Sequence, residues 1–335
     1  MAMDREERHL LSAAFFCPQS RAPDEEYLAG LYSFLRQNQY GQILLQEILD
    51  LENIWTIFEN ARDDVRALSQ GPVYIDILRG WAANGESHRL SEVRSGIVAL
   101  PLLIILQIGQ YLRYLEFQGL AHQEFLAEIR HGGAQGYCGG LPPAIALACA
   151  RDETEVVKNA GIAMRILLGI GAYGEAADEG NGTGTTTLAL RLKYEGQGDE
   201  FARLFPGTHV SAITDPKSVS MVGSAQKLEE VFNYARAQGL QVQKMDIRGK
   251  VHNPENKDLA IELCQLCNET PCLQLPEASA LQVPVRSNRS GEKLLHGSLT
   301  EEIVTTILAS RCDWYVLLNK VAEDLAASKQ PAHTL

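Results

Sequence analysis

Near the middle of the chain a cysteine is framed by glycines, Gly136-Tyr137-Cys138-Gly139-Gly140. Glycines two before and two after a nucleophile permit a sharp strand-to-helix turn that forces the side chain outward from a strained backbone. A thiol placed there stands at a helix N-terminus, where the macrodipole and free amides favour the thiolate. The amide of Gly139 would point at a developing oxyanion, and glycine at 139 and 140 clears space for a substrate. The competing reading of the same residues is a buried cysteine in a glycine-rich loop.

A thiol nucleophile needs a base, and eight histidines are available. His252 lies in Gly249-Lys-Val-His-Asn-Pro-Glu255, directly after a predicted strand over 240–247. The chain changes direction there, so the imidazole could reach a cleft; the plainer alternative is a surface loop histidine. His131 is close to Cys138 in sequence but is expected at the start of the incoming strand, facing away. His131-Gly-Gly imitates the oxyanion motif of lipase-like hydrolases, which lies far upstream of their nucleophile on another loop. His9, His88, His122 and His333 fall in charged or terminal contexts, and nothing singles out His209 or His296. Cys264-Gln-Leu-Cys267, with Cys272 nearby, lacks a second paired cluster, so core packing is the expected role and no metal is expected. Glu179-Gly-Asn-Gly-Thr-Gly-Thr-Thr-Thr187 lacks the lysine of a phosphate-binding loop and reads as a loop by composition.

The elements that must carry these residues can be outlined from periodicity. Residues 10–16 suit a first buried strand, and helical stretches follow around Tyr27–Leu35, Ile43–Leu51 and Ile54–Phe58. Ile97–Phe117 reads as a long helix, apolar first and amphipathic later. Leu141-Pro-Pro after the cysteine suits the first turn of an Ala-rich helix, where no amide donor is missed. Asp152-Glu-Thr-Glu155 resembles a capping box opening a helix through Ile162, Arg165 and Leu168. Residues 209–248 form a β–α–β pattern: short strands at 209–214 and 218–222, a helix capped by Ser224, a stop at Gly239 and a returning strand. A last helix is expected to carry Ile303, Ile307, Leu308 and Trp314, and the tail after Ala327 has linker-like composition.

Composition excludes several classes. With 335 residues, 45% hydrophobic and 21% charged, the chain can bury a large core and is not disordered in bulk. A formal net charge of −12 without a clustered basic run argues against nucleic acid. The charged N-terminal residues show no signal-peptide pattern, and the apolar run Ile97–Leu106 is interrupted by Pro101 and too short to cross a bilayer. A cytosolic protein is expected, with its seven cysteines reduced.

Four separated motifs, in order, resemble one family: Phe15-Phe-Cys-Pro-Gln-Ser20; Gly136–Gly140; Gly249-Lys-Val-His-Asn-Pro-Glu-Asn256; and Val285-Arg-Ser-Asn288 followed by Cys312-Asp-Trp-Tyr315. This succession, running from about residue 10 to 320, is similar to the starter-unit acyl-carrier-protein transacylase domain of fungal non-reducing polyketide synthases. The resemblance implies an α/β fold like that of malonyl-CoA:acyl-carrier-protein transacylases, an α/β-hydrolase-like core with an inserted ferredoxin-like subdomain. The corresponding boundaries are 8–205 and 249–325 for the core, 206–248 for the insert and 326–335 for a linker. It further implies that Cys138 holds a starter acyl group as a thioester, that His252 activates the thiol, and that the amide of Gln19 completes the oxyanion hole with Gly139. Gly140 and Ile170 are the expected substrate-binding positions. Malonyl-loading relatives use serine as nucleophile and an arginine further on; here the aligned position falls at Ile170, which argues for an uncharged acyl group, since a buried carboxylate without a cationic partner is disfavoured.

The implied reaction moves the acyl group from a CoA or acyl-carrier thioester to the phosphopantetheine of an acyl carrier protein domain, in polyketide biosynthesis. No bound cofactor is expected beyond acyl-CoA or acyl-phosphopantetheine as substrate, and no membrane. The expected partners are the carrier domain of the same synthase and, as donor, an upstream reducing synthase or fatty acid synthase carrier domain. A thioesterase-like hydrolase with the same Cys-His dyad, or a non-catalytic docking domain, are the alternative readings.

Overall fold

The computed structural model describes residues 13–17, 23–179, 185–245 and 249–328. Two long helices, Gly96–Gln118 and Glu153–Glu179, pack against each other at the centre of the larger core. The first is capped by Ser95, whose hydroxyl accepts from the amide of Ile97 at 3.1 Å, and ends at Gly119 in the left-handed region. Both helices are long and apolar enough to cross a membrane by length and composition, the run Ile97–Leu106 forming the first half of Gly96–Gln118. Both are mostly buried inside the fold, which accounts for their apolar character without a bilayer. The helices Glu25–Gln37, Gln39–Leu49, Leu51–Ala61 and Gly71–Asn84 pack around them and share one apolar core.

Among the described residues, the strands outside the small sheet are two short ones, β1 (Ala14–Phe16) and β2 (Ala134–Gly136), paired in parallel. The sequence Ala-Gln-Gly offers no branched apolar side chain to extend β2. Register is fixed instead by the wholly buried Gln135, whose side chain donates to the carbonyls of Gly132 and Pro284 and accepts from the amide of Arg286. Beyond β2 the chain turns through Cys138–Gly140 into the helix Leu141–Ala148, every residue of which is buried.

The second sheet has five strands: β3 (Thr185–Arg191), β4 (Thr208–Asp215), β5 (Ser218–Ser224), β6 (Gln241–Met245) and β7 (Cys312–Asp313), in the order β6-β3-β5-β4-β7. Each of the first four pairs antiparallel with its neighbours among them and, with helices Gln197–Leu204 and Ala225–Ala237, they run β–α–β–β–α–β around a separate apolar core. The strands expected within 209–247 are present where described, and Ser224 caps its helix by accepting from the amide of Lys227 at 3.3 Å. The sheet also recruits β3, from a segment whose glycine and threonine content reads as loop through Thr187. Threonine is a strand former once it has neighbours to pair with, which composition cannot supply.

Correcting the expectation of one last helix, the C-terminal segment forms two, Leu299–Ala309 and Trp314–Ala327. Between them β7 pairs in parallel with β4, Ala212 opposite Cys312. Asp313 caps the second helix by accepting from the amide of Val316 at 3.0 Å, so Asp313-Trp314 starts a helix rather than continuing one.

Candidate active site

Cys138 has φ +53 and His252 φ +51, the two non-glycine residues with positive φ among those described. Such backbone costs on the order of 1–3 kcal/mol per residue and persists only where surrounding contacts enforce it. At Cys138 the enforcement is tight packing of the turn. A Cβ on Gly140 would lie 1.9 Å from the carbonyl oxygen of Phe16, and one on Gly136 would lie 2.2 Å from that of Gly140. Gly140→Ala is therefore expected to destabilise the fold by about 1–3 kcal/mol through overpacking. A denaturant midpoint equal to that of the unaltered chain would show that the elbow is not so confined.

Asn288 secures the turn from outside. Its Oδ1 accepts from the amide of Cys138 at 2.7 Å, its Nδ2 donates to the carbonyl of Gly136 at 2.6 Å, and its own carbonyl accepts from the amide of Asp313 at 2.6 Å. Asn288→Ala leaves two backbone groups without their partner, each worth about 1–3 kcal/mol when buried and unsatisfied. The expected result is a lower unfolding midpoint together with slower alkylation of Cys138 by iodoacetamide. Unchanged values of both would remove Asn288 from the elbow.

The sulfur of Cys138 lies 2.7 Å from His252 Nε2. The imidazole is buried, and its Nδ1 stands 3.0 Å from the carbonyl oxygens of both Thr306 and Ser310. Two acceptors at Nδ1 hold the proton there and leave Nε2 to exchange one with the thiol. Among the described residues no carboxylate occupies the third position; the end of the helix Leu299–Ala309 fills it with backbone. That helix is itself tied to the loop carrying Asn288. The buried Glu302 accepts from Ser287 Oγ at 2.6 Å, from Thr306 Oγ1 at 3.2 Å and from Arg289 Nη2 at 2.5 Å.

A second thiol completes the site. Cys312, wholly buried on β7, places its sulfur 3.6 Å from Nδ1 and 4.0 Å from Nε2 of His252, and within 4.8 Å of the Cys138 sulfur. The hydrogen bond from Cys312 is the largest influence holding the Cys138 thiol well below its ordinary pKa. Burial opposes this, while the His252 charge and the amide of Gly139 add to it. Burial would push His252 down, but the neighbouring Cys138 thiolate more than offsets it, and the imidazole is raised. Cys312 itself is raised well above the usual thiol range, by burial first and by its bond to Cys138 next. These influences favour charge separation between Cys138 and His252 and a neutral thiol at Cys312.

Aromatic rings form one side of the site. Tyr137 stacks on Trp314 with ring centres 5.1 Å apart, Phe15 meets the same indole edge-on at 5.7 Å, and the Tyr137 hydroxyl is 3.3 Å from that of Thr214 on β4. Cys138 thus lies where the large core meets the small sheet.

Cys138, His252, Gly139 and Gly140 are brought together as the sequence suggests. Gln19 lies outside the described residues. Ile170 is fully buried in the core helix. Arg165, on the same helix, is paired with Glu47 and donates to the carbonyl of Cys272 at 3.3 Å. His131 sits before β2 and its Nε2 accepts from Arg130. Asn288 and Cys312 stood inside quoted motifs, yet no spacing rule marked them, since their importance comes from contacts 150 and 60 residues away along the chain.

Comparison with solved structures places this fold among acyl-carrier transacylases. Malonyl CoA-acyl carrier protein transacylase from Burkholderia pseudomallei matches with a TM-score of 0.62 over 98% of this chain and 93% of that one, at 13% identity. The acyltransferase domain from the second module of the salinomycin polyketide synthase matches with a TM-score of 0.57 over 94% and 61%, at 16% identity. The family described as starter unit:ACP transacylase in aflatoxin biosynthesis matches residues 83–190. Non-reducing polyketide synthase Preu6 of Preussia isomera is 48% identical over 97% of this chain, and non-reducing polyketide synthase atr1 of Stereocaulon alpinum is 51% identical over 99%. The chain belongs to the starter unit:ACP transacylase family. It spans 14% and 13% of the length of those two synthases.

Proposed function

We propose that the chain transfers a starter acyl group in polyketide biosynthesis, carrying it as a thioester on Cys138. The observation that carries this reading is the 2.7 Å approach of the Cys138 sulfur to His252 Nε2 at a positive-φ strand-to-helix turn. In a ping-pong sequence the thiolate attacks the carbonyl carbon of an acyl-CoA or acyl-carrier thioester. The oxyanion rests on the amide of Gly139, with Gln19 as the proposed second donor. The tetrahedral intermediate collapses, and the leaving thiolate takes the proton that His252 holds at Nε2. The phosphopantetheine thiol of an acceptor carrier domain then gives its proton to Nε2, attacks the Cys138 thioester and departs with the acyl group. Exchange between thioesters is nearly thermoneutral, which suits a cysteine carrier.

Engagement of Arg165 by Glu47 leaves that cation unavailable to an acyl carboxylate, and the apolar Ile170 favours an uncharged starter in the same way. Gly140 would line the substrate space. The β–α–β–β–α–β order, antiparallel in the sequence 4-1-3-2, supports a ferredoxin-like insert, whose start we place at β3. A carrier domain of the same synthase is the proposed acceptor, an upstream synthase carrier or CoA the donor, and the cytosol the proposed location. No bound cofactor is required by these steps.

A panel of acyl-CoAs, from acetyl to medium-chain and branched, tests the reading by intact mass with a carrier domain present. Acyl-carrier product is expected. Free acid without acyl-carrier product would instead support the hydrolase.

A further inference from the structure

The proposed acyl-transfer reaction uses the sulfur of Cys138 and Nε2 of His252, and leaves Cys312 without a chemical step of its own. Three potential metal donors converge here: two sulfurs and an imidazole nitrogen, all within 4.8 Å of one another. Nδ1 of the imidazole is directed at the carbonyls of Thr306 and Ser310, Nε2 lies 2.7 Å from the Cys138 sulfur, and the Cys312 sulfur stands 3.6 Å from Nδ1 and 4.0 Å from Nε2, so that once its proton is released Nε2 is the nitrogen open to a metal.

We infer that Cys138, His252 and Cys312 form a binding site for a thiophilic divalent cation, zinc above all, whose occupancy switches off acyl loading. The inference rests on the proposed role of Cys138 as acyl carrier for its consequence, though not for the binding itself. Zinc bonds thiolate at about 2.3 Å and imidazole at about 2.0 Å, so tetrahedral ligands stand roughly 3.5 Å apart. The present separations of 2.7 Å for Cys138 to Nε2 and 4.0 Å for Cys312 to Nε2 bracket that value. Two thiolates and Zn²⁺ sum to zero charge, which a buried site tolerates far better than a net charge. The partly exposed side of Cys138 gives the entry path and the open fourth position.

Proton balance is defined. Whether the resting pair is thiol with neutral imidazole or thiolate with imidazolium, the three groups together hold two exchangeable protons at the facing atoms. Both leave to solvent when Zn²⁺ takes two thiolates and Nε2. Acylation and zinc exclude each other, because a thioester sulfur has no thiolate lone pair to offer and a zinc-bound thiolate is a weakened nucleophile.

The test uses the full chain, reduced and stripped with a chelator, titrated with Co²⁺ and then Zn²⁺. One Co²⁺ per chain is expected, with thiolate-to-cobalt charge-transfer absorption that Zn²⁺ displaces, and two protons released per metal in calorimetry across buffers. Cys312→Ala should weaken Zn²⁺ binding by roughly 100-fold or more, a ligand being worth at least the upper end of what a ligand's own partner contributes. Cys264→Ser, outside the cluster, should leave stoichiometry unchanged. Should Cys312→Ala fail to fold, iodoacetamide alkylation of Cys138 in the unaltered chain must abolish the cobalt bands. Absent bands, affinity insensitive to Cys312, or acylation unaffected by stoichiometric Zn²⁺ overturns the inference. A metal-free chain that takes no acyl group defeats the acyl-transfer reading and leaves the metal site standing, so the two failures are distinct.

Discussion

Cys138→Ala should abolish the acyl mass increase and reduce transfer to the carrier domain to background, with no change in folding. The thioester forms on that sulfur or not at all, so the expected loss is complete rather than graded. Alanine keeps a Cβ at the same positive φ, so the backbone strain of the elbow is retained and the variant reports on chemistry rather than on relief of strain. Asn288 still accepts from the amide at 138, which keeps the turn in place. Cys138→Ser refines the result. Its hydroxyl remains a nucleophile but titrates far above a thiol, and an oxygen ester releases its acyl group to a thiol less readily, so any surviving adduct should turn over slowly. An adduct of undiminished amount in Cys138→Ala, read by intact mass, would move the carrier to another thiol, with the exposed Cys17 the first to examine.

His252→Ala should slow acylation by about 10²- to 10⁴-fold, the range general-base assistance contributes. Its more specific signature is a pH shift. The Cys138 thiol is held below its ordinary pKa and His252 above its own, and both shifts favour the ion pair. Iodoacetamide reacts with thiolate, so alkylation of the unaltered chain should persist at pH values where an ordinary thiol is protonated. It should fall as pH drops through the depressed Cys138 pKa. Removing the imidazole takes away a positive neighbour and a hydrogen bond, so the profile should move up, toward the roughly 8.5 of a free cysteine. Cys312 still donates to the thiolate in this variant, so the shift should be incomplete; Cys312→Ala in addition should carry it further. Profiles of His252→Ala and the unaltered chain that superimpose would sink the assignment of the base. Circular dichroism separates this outcome from simple collapse around the vacated carbonyls of Thr306 and Ser310.

Much of the site was legible because its constraints are local. A nucleophile elbow is written in five consecutive residues, as no other residues fit the close approach of Gly136 and Gly140 to neighbouring backbone. The capped helices, the paired prolines at 142–143 and the alternation within 209–247 are local in the same sense, each set by neighbours within a turn or a strand. Strand β3 was not legible, because its Thr-rich residues need the ladder of β5 and β6 to become extended. The break between Leu299–Ala309 and Trp314–Ala327 was missed because β7 owes its two residues to pairing with β4.

The sequence by itself singled out Cys138 as the candidate nucleophile, His252 as its candidate base and the family the chain resembles. Those conclusions depend on residue type and short spacing, which the chain states directly. Only the tertiary structure decided that the third position beside His252 is held by two carbonyls, that Asn288 fixes the elbow, and that a second thiol faces the first. These are contacts across tens to hundreds of residues, made by packing one helix end and one two-residue strand against the turn. Their energy is realised only when water leaves that junction and the polar groups must satisfy one another.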